Sequence, residues 1–300
     1  MQDDVRPIGV FDSGLGGLTV ARAIASGLPH ESITYLGDTK RCPYGPRDQS
    51  EVRRFVAQVG AWLNGRDVKA VVIACNTATA AALDLLQVAL PVPVIGVVEP
   101  GARAAVRATR TRRVGVLATE GTVRSGSYEA AIHALDAGVR VFSHPAPRFV
   151  ELVEGLLIGG EHLHEDWMAN PEIFDTPPIR NIAREETEAL ADMGIDTVVL
   201  GCTHFPLLAR PIRAVLGEDV RIVSSAEETC RELRESLEYR GDLAPDDQVP
   251  DYRFATTSDD ITSFAVAGNF IFGHTLESIE RVDLDRVEPL PDYRNTDAGA

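Results

Sequence analysis

Short runs of β-branched and apolar residues alternate along this chain with longer stretches in which apolar residues recur every three or four positions. The short runs are Ile8–Phe11, Ile33–Leu36, Ala70–Ala74, Val94–Val97, Val114–Leu117, Val139–Phe142, Thr197–Leu200 and Arg221–Val223. Most are almost continuously apolar, as strands covered on both faces must be. The stretches between them, among them Gly17–Gly27, Asp48–Asn64, Thr77–Val88 and Arg180–Met193, read as helices with one apolar face. This alternation predicts an α/β fold built from βαβ units, with parallel-rich sheets flanked by helices. Further on, the pattern gives a strand at Tyr252–Thr256, a helix at Asp259–Phe270 and a final strand near Ile279–Leu284. Residues 289–300 read as a disordered tail. A polar stretch from Gly159 to Pro178 reads as an insertion or lid, with His162 and His164 on its solvated surface.

Two internal echoes run through the pattern. "IGVFDSGLGG" from Ile8 resembles "VGVLATEGTV" from Val114, and "VVIACNTATA" from Val71 resembles "VVLGCTHFPL" from Val198. In each case a strand ends in a loop of small and hydroxyl residues that opens a helix. Turns of this kind also share small residues for backbone reasons alone. Duplicated halves, the alternative explanation, would face each other across a cleft.

That cleft is where chemistry is expected, because open α/β sheets bind ligands at the carboxyl ends of their strands. Cys75 and Cys202 both fall there, in the matching loops. An ordinary cysteine, with a pKa of about 8.5, is only a few per cent ionised at neutral pH. A helix N-terminus beside the sulfur should raise that fraction. Single cysteines after strands are most often small buried hydrophobes; two in matching loops, followed by Asn76-Thr77 and Thr203-His204, point to a shared site instead. His204 is open to three readings at this stage, as a metal ligand, a core histidine or a proton partner. No CxxC pair or further ligand stands at a recognisable spacing, so no metal is expected. The Gly14–Gly17 loop lacks both the phosphate-loop and the dinucleotide patterns. Its glycines allow close backbone approach, with Asp12 and Ser13 projecting into the site.

Composition narrows the field. The chain has 300 residues, 44% hydrophobic and 25% charged, with a formal charge of −16. A surface that acidic argues against binding a nucleic-acid backbone. Only Lys40 and Lys69 are lysines, one in a loop and one just before a strand. Neither occupies an obvious place for the Schiff base a pyridoxal enzyme needs, and no cofactor is expected. No apolar run approaches the roughly 18–20 residues of a membrane span. Met1–Arg6 has neither the basic start nor the apolar stretch of a signal peptide, which leads us to expect a cytoplasmic protein.

Taken together, the runs "FDSGLGG" (Phe11–Gly17), "GDT" (Gly37–Thr39) with "PYG" (Pro43–Gly45), "ACNTAT" (Ala74–Thr79) and "GCTHFPLL" (Gly201–Leu208) resemble the glutamate racemases over most of the chain. The run "GVLATEGTVRSGSY" fits their middle segment. The resemblance implies two related α/β domains with the active site in the cleft between them. The first would comprise residues 1–99 plus 212–288, and the second residues 100–211. It implies cofactor-independent interconversion of L- and D-glutamate for peptidoglycan, with Cys75 and Cys202 exchanging protons on opposite faces of the substrate. Asp12 would assist Cys75, and His204 would assist Cys202. Glu154 would be an additional carboxylate near Cys202, with Glu151 close by as a rival. Ser13, Tyr44, Gly45, Asn76, Thr77, Thr119, Thr122 and Thr203, with Asp12 and His204, would bind the substrate. A homodimer is implied too. Cys42 and Arg47 depart from the family's usual residues. The competing functions are racemisation of aspartate or a related acidic amino acid, a Cys202–His204 thiol hydrolase, and a ligand-binding regulator.

Overall fold

The computed structural model describes residues 4–158 and 171–294. Among the described residues ten strands form two sheets. The first sheet contains β1 (Ile8–Asp12), β2 (Ile33–Gly37), β3 (Ala70–Ile73), β4 (Val94–Gly96), β9 (Tyr252–Thr256) and β10 (Ile279–Arg281), in the order β10-β9-β2-β1-β3-β4. The second contains β5 (Arg113–Ala118), β6 (Arg140–Pro145), β7 (Thr197–Gly201) and β8 (Arg221–Ser224), in the order β6-β5-β7-β8. Every pairing is parallel. The central strands β1, β2, β3 and β7 are buried at every position, which is why they read as unbroken apolar runs.

The two sheets share one plan. Strands β2-β1-β3-β4 of the first correspond in order to β6-β5-β7-β8 of the second, so the internal echoes mark strands in equivalent places. This also corrects the expected domain limits. β8 pairs with β7, so the second sheet extends past residue 211 and takes a strand assigned to the first domain.

Helices cover both sheets: α1 (Leu18–Gly27), α2 (Gln49–Asn64), α3 (Asn76–Ala89), α4 (Val98–Ala108), α5 (Glu120–Ser125), α6 (Ser127–Leu135), α7 (Pro147–Ile158), α8 (Pro177–Ala191), α9 (Ala209–Leu216), α10 (Ser225–Arg240) and α11 (Ile261–Phe272). Their starts follow local chemistry. Thr119, Ser224 and Asp260 each accept a backbone N–H of the first turn of α5, α10 and α11, a cap worth about 1 kcal/mol. Pro177 and Pro178, assigned to the polar insertion, instead open α8, where the missing N–H costs nothing. Residues 159–170, with His162 and His164, lie outside the described residues. One apolar cluster runs from Ile8 and Val10 of the first sheet to Leu117 and Val198 of the second, through α1, α7, α8, α10 and α11, and each sheet has a further cluster on its other face. Among the described residues no helix is long and apolar enough to cross a membrane.

The chain does not become disordered at 289. The Leu290 N–H donates to the carbonyl of Ala57, and Asp292 takes a two-pronged grip on the buried guanidinium of Arg53 at 2.6 and 2.9 Å. Arg53 also holds Asp84 of α3 at 2.8 Å, which draws the pKa of Asp84 down to about 2 against the cost of its burial. The other cation of interest, Lys69, is fully buried. It pairs with Glu31 at 2.6 Å and donates to the carbonyls of Asp4 and Asp242.

Candidate active site

β1, β3, β5 and β7 end at the seam between the lobes, and their loops enclose a cavity of about 20 Å³. Ser13, Pro43, Tyr44, Gly45, Cys75, Asn76 and Thr77 line it from the first lobe. Thr119, Val150, Cys202, Thr203 and His204 line it from the second. Both thiols are buried. Of the residues expected at the site, Asp12, Thr122 and Glu154 stand behind this wall. Pro43 and Val150 join it unforeseen.

Cys75 is the N-cap of α3. Its sulfur accepts the Ala78 N–H at 3.4 Å and lies 3.7 Å from the Ser13 hydroxyl. The helix was expected to favour a thiolate here. Burial outweighs it, and with the charge of Asp12 nearby the thiol pKa is pushed up to about 12 although both hydrogen bonds act the other way. In this closed cavity Cys75 rests as a thiol.

Cys202 has a different setting. No α-helix begins at it; a single 3₁₀ turn, Phe205–Leu208, follows His204. His204 Nδ1 stands 3.6 Å from the Cys202 sulfur, and Nε2 lies 2.5 Å from Glu154 Oε1 on α7. Burial disfavours charge on this imidazole, but its bonds to Cys202 and Glu154 win and hold its pKa well above the ordinary range. The carboxylate that reaches His204 is therefore Glu154; Glu151 is exposed.

Asp12 sits on the first lobe but faces the second. It accepts the Gly14 N–H at 3.1 Å and the Thr203 hydroxyl at 3.3 Å. Burial raises its pKa, opposed chiefly by the charge of His204. The hydroxyl nearest Cys75 belongs to Ser13. Close contact at this seam explains Gly16, where a Cβ would come within 2.4 Å of Thr203 Oγ1. Other bridges join the lobes. Thr77 Oγ1 is 2.8 Å from Thr119 Oγ1 and 3.3 Å from Thr122 Oγ1, and the Gly121 N–H donates to Gly45. Cys42, the thiol that departed from the family pattern, lies 3.7 Å from Glu154 Oε1.

Two supporting residues escaped the sequence reading. Asp38 is fully buried and accepts from the Tyr44 hydroxyl, from Arg41 at 2.6 Å and from Thr257 at 2.9 Å, which fixes the loop carrying Tyr44 and Gly45. It stands in the "GDT" run, the signal that could have found it. Tyr128 of α6 donates to Asn76 Oδ1 at 2.7 Å; as a buried aromatic it looks like ordinary core.

A sequence profile described as Asp/Glu/Hydantoin racemase matches residues 16–233, which include both cysteines and the loops around them. The chain belongs to this racemase family. It is 46% identical to a glutamate racemase of Lysinibacillus sphaericus over 278 residues, 93% of this chain and 98% of that one. The crystal structure of glutamate racemase isoform RacE1 from Bacillus anthracis superposes with a TM-score of 0.84 at 44% identity, covering 93% of this chain and 98% of that one. A Francisella tularensis glutamate racemase in complex with D-glutamate gives 0.82 at 33% identity, over 94% and 99%. The racemase fold of two parallel sheets flanked by helices is thus common to this chain and its solved relatives. Neither lysine of this racemase stands at the cavity.

Proposed function

We propose that this racemase interconverts L- and D-glutamate by two-base proton transfer, without a cofactor, and so supplies D-glutamate for the cell wall. The observation that carries the reading is the pair of thiols at equivalent strand ends, one from each lobe, lining one small cavity. Inverting an α-carbon means taking a proton from one face and returning one to the other. Two opposed thiols do this without moving the substrate. In one direction Cys202, with His204 beside it, acts as the base and a neutral Cys75 supplies the proton. For the opposite enantiomer the roles reverse.

The harder demand is the carbanion beside a carboxylate. Asn76, Thr77, Thr119, Thr203 and Ser13 offer neutral donors already in place, and preorganised donors in a dry site are worth several kcal/mol. They also suit an acidic substrate without a basic pocket. A cavity of about 20 Å³ holds roughly one water and no amino acid, so turnover requires the lobes to part and close again. Glutamate rather than aspartate follows from the relatives' own activity. A homodimer and a cytoplasmic location belong to the same proposal, and sedimentation measures the first.

The test is incubation with L-glutamate in D2O, without added cofactor, following α-proton exchange and optical rotation. Exchange with D-glutamate accumulating is expected. A folded, reduced protein that gives neither signal overturns the proposal, and activity on aspartate alone redirects it. One observation favours a second reading: Cys202, His204 and Glu154 line up as nucleophile, base and orienting carboxylate. A trapped acyl-enzyme from an ester substrate would support that hydrolase, which leaves Cys75 with no task.

A further inference from the structure

Tyr128 is outside the cavity wall and has no part in the mechanism above. It is buried in the second lobe, and its hydroxyl crosses the seam to Oδ1 of Asn76, the residue after Cys75. Its ring lies against the loop of the other thiol. A Cβ on Gly201, the residue before Cys202, would meet Tyr128 Cε2 at 3.1 Å. On a further side, a Cβ on Gly101 of α4 would meet the hydroxyl oxygen at 3.0 Å. Two positions without side chains thus leave the slot that the ring fills, and the slot runs between the flanks of the two cysteines.

The hydroxyl has a definite chemical task there. Burial, reinforced by the neighbouring Cys202, keeps the phenol protonated, so it can donate. A primary amide has one face that accepts and one that donates. With Oδ1 occupied by the tyrosine, the N–H donors of the Asn76 amide are what it has left to offer the cavity it lines. Without that bond the amide is free to flip and present oxygen to an anionic substrate.

We propose that Tyr128 is a positioning residue for the racemisation. Its hydroxyl fixes the Asn76 amide as a donor to the substrate carboxylate, and its ring sets the spacing of the two cysteine loops. The inference rests on the glutamate racemase reading.

The experiment compares steady-state kinetics on glutamate for the wild type, Tyr128→Phe, Tyr128→Leu, Asn76→Ala and the double variant Tyr128→Phe/Asn76→Ala. Tyr128→Phe keeps the ring and loses one neutral hydrogen bond. It should raise KM about five- to tenfold and change kcat about twofold at most. Tyr128→Leu also removes the rigid spacer and should lower kcat by at least about tenfold, because small misplacements of reacting groups are costly. In the Asn76→Ala background, Tyr128→Phe should add nothing further; this non-additivity is absent from a purely structural role. An unchanged KM in Tyr128→Phe, or effects of the two substitutions that simply multiply, would overturn the proposal while the wild type racemises. A wild type that exchanges no α-proton overturns the glutamate reading, and this proposal with it. Should Tyr128→Leu fail to fold, the phenylalanine cycle decides alone.

Discussion

Cys75 and Cys202 end equivalent strands of two sheets with the same strand order, yet they are supported by unlike means. Cys75 caps a helix that is kinked at Ala82 and meets a backbone N–H and a serine hydroxyl. Cys202 precedes one 3₁₀ turn and meets a histidine locked to a glutamate. Duplicated backbones thus need not carry duplicated electrostatics. A substrate with two carboxylates and an ammonium is not symmetric about its α-carbon, so the two walls face different groups. On one wall burial keeps the thiol neutral; on the other an imidazolium stands ready beside the sulfur.

The largest effect that would test this contrast comes from removing either thiol. The enantiomers of glutamate have equal free energy, so no variant can lower kcat/KM in one direction only. Cys75→Ser and Cys202→Ser should each lose racemisation both ways by at least about a thousandfold. Each should still exchange the α-proton of one enantiomer with solvent, and not the same one. Proton NMR of both enantiomers in D2O reads this directly; if both variants exchange the same enantiomer, opposed bases are excluded.

Next in size is Glu154→Gln, which removes a charge-assisted bond from His204 and should cost about ten- to hundredfold in kcat/KM. It also has a signature in stability. The folded pKa of His204 is raised, so its contribution is complete below the unfolded value of about 6.5 and is lost as pH climbs through the raised folded value. The Tm of Glu154→Gln should show less of that fall with rising pH than the wild type, while Cys75→Ser should retain it. The smallest effect is expected for Ser13→Ala. One weak contact to sulfur is worth about a two- to fivefold change in rate, visible as a larger fall in the exchange of the enantiomer that depends on Cys75. An equal fall for both would remove the distinction between the walls at this position.

Much of this architecture was legible in the chain because parallel, doubly covered strands leave little room for polar residues. The edges were less so. β6 runs on through Ser143, His144 and Pro145, and an edge strand with half-exposed positions carries no continuous apolar signal. The final ladder stops at Arg281, and Leu284 begins a 3₁₀ turn capped by Asp283. β8 was given to the wrong sheet, although the internal echo, followed to its end, implies a strand there to match β4. At the site, loop residues announced themselves through small and hydroxyl side chains around the cysteines. The family resemblance tied Asp12 to Cys75, and its charge does reach that thiol; what the sequence did not show is its bond to Thr203, far along the chain. Tyr128 was invisible for a related reason, since its task depends on a contact between α6 and α3 that no local pattern encodes.

The strand order of the first sheet also has a consequence for the birth of the molecule. β9 pairs with β2, Ile33 lying opposite Tyr252, whereas the second sheet is gathered from one uninterrupted stretch of chain. During synthesis, the edge of β2 therefore has no partner until almost the whole polypeptide has emerged. The lobe bearing Cys202 can assemble while its companion still waits. An unpaired apolar edge is a template for aggregation, so the last strands made are those that end this exposure.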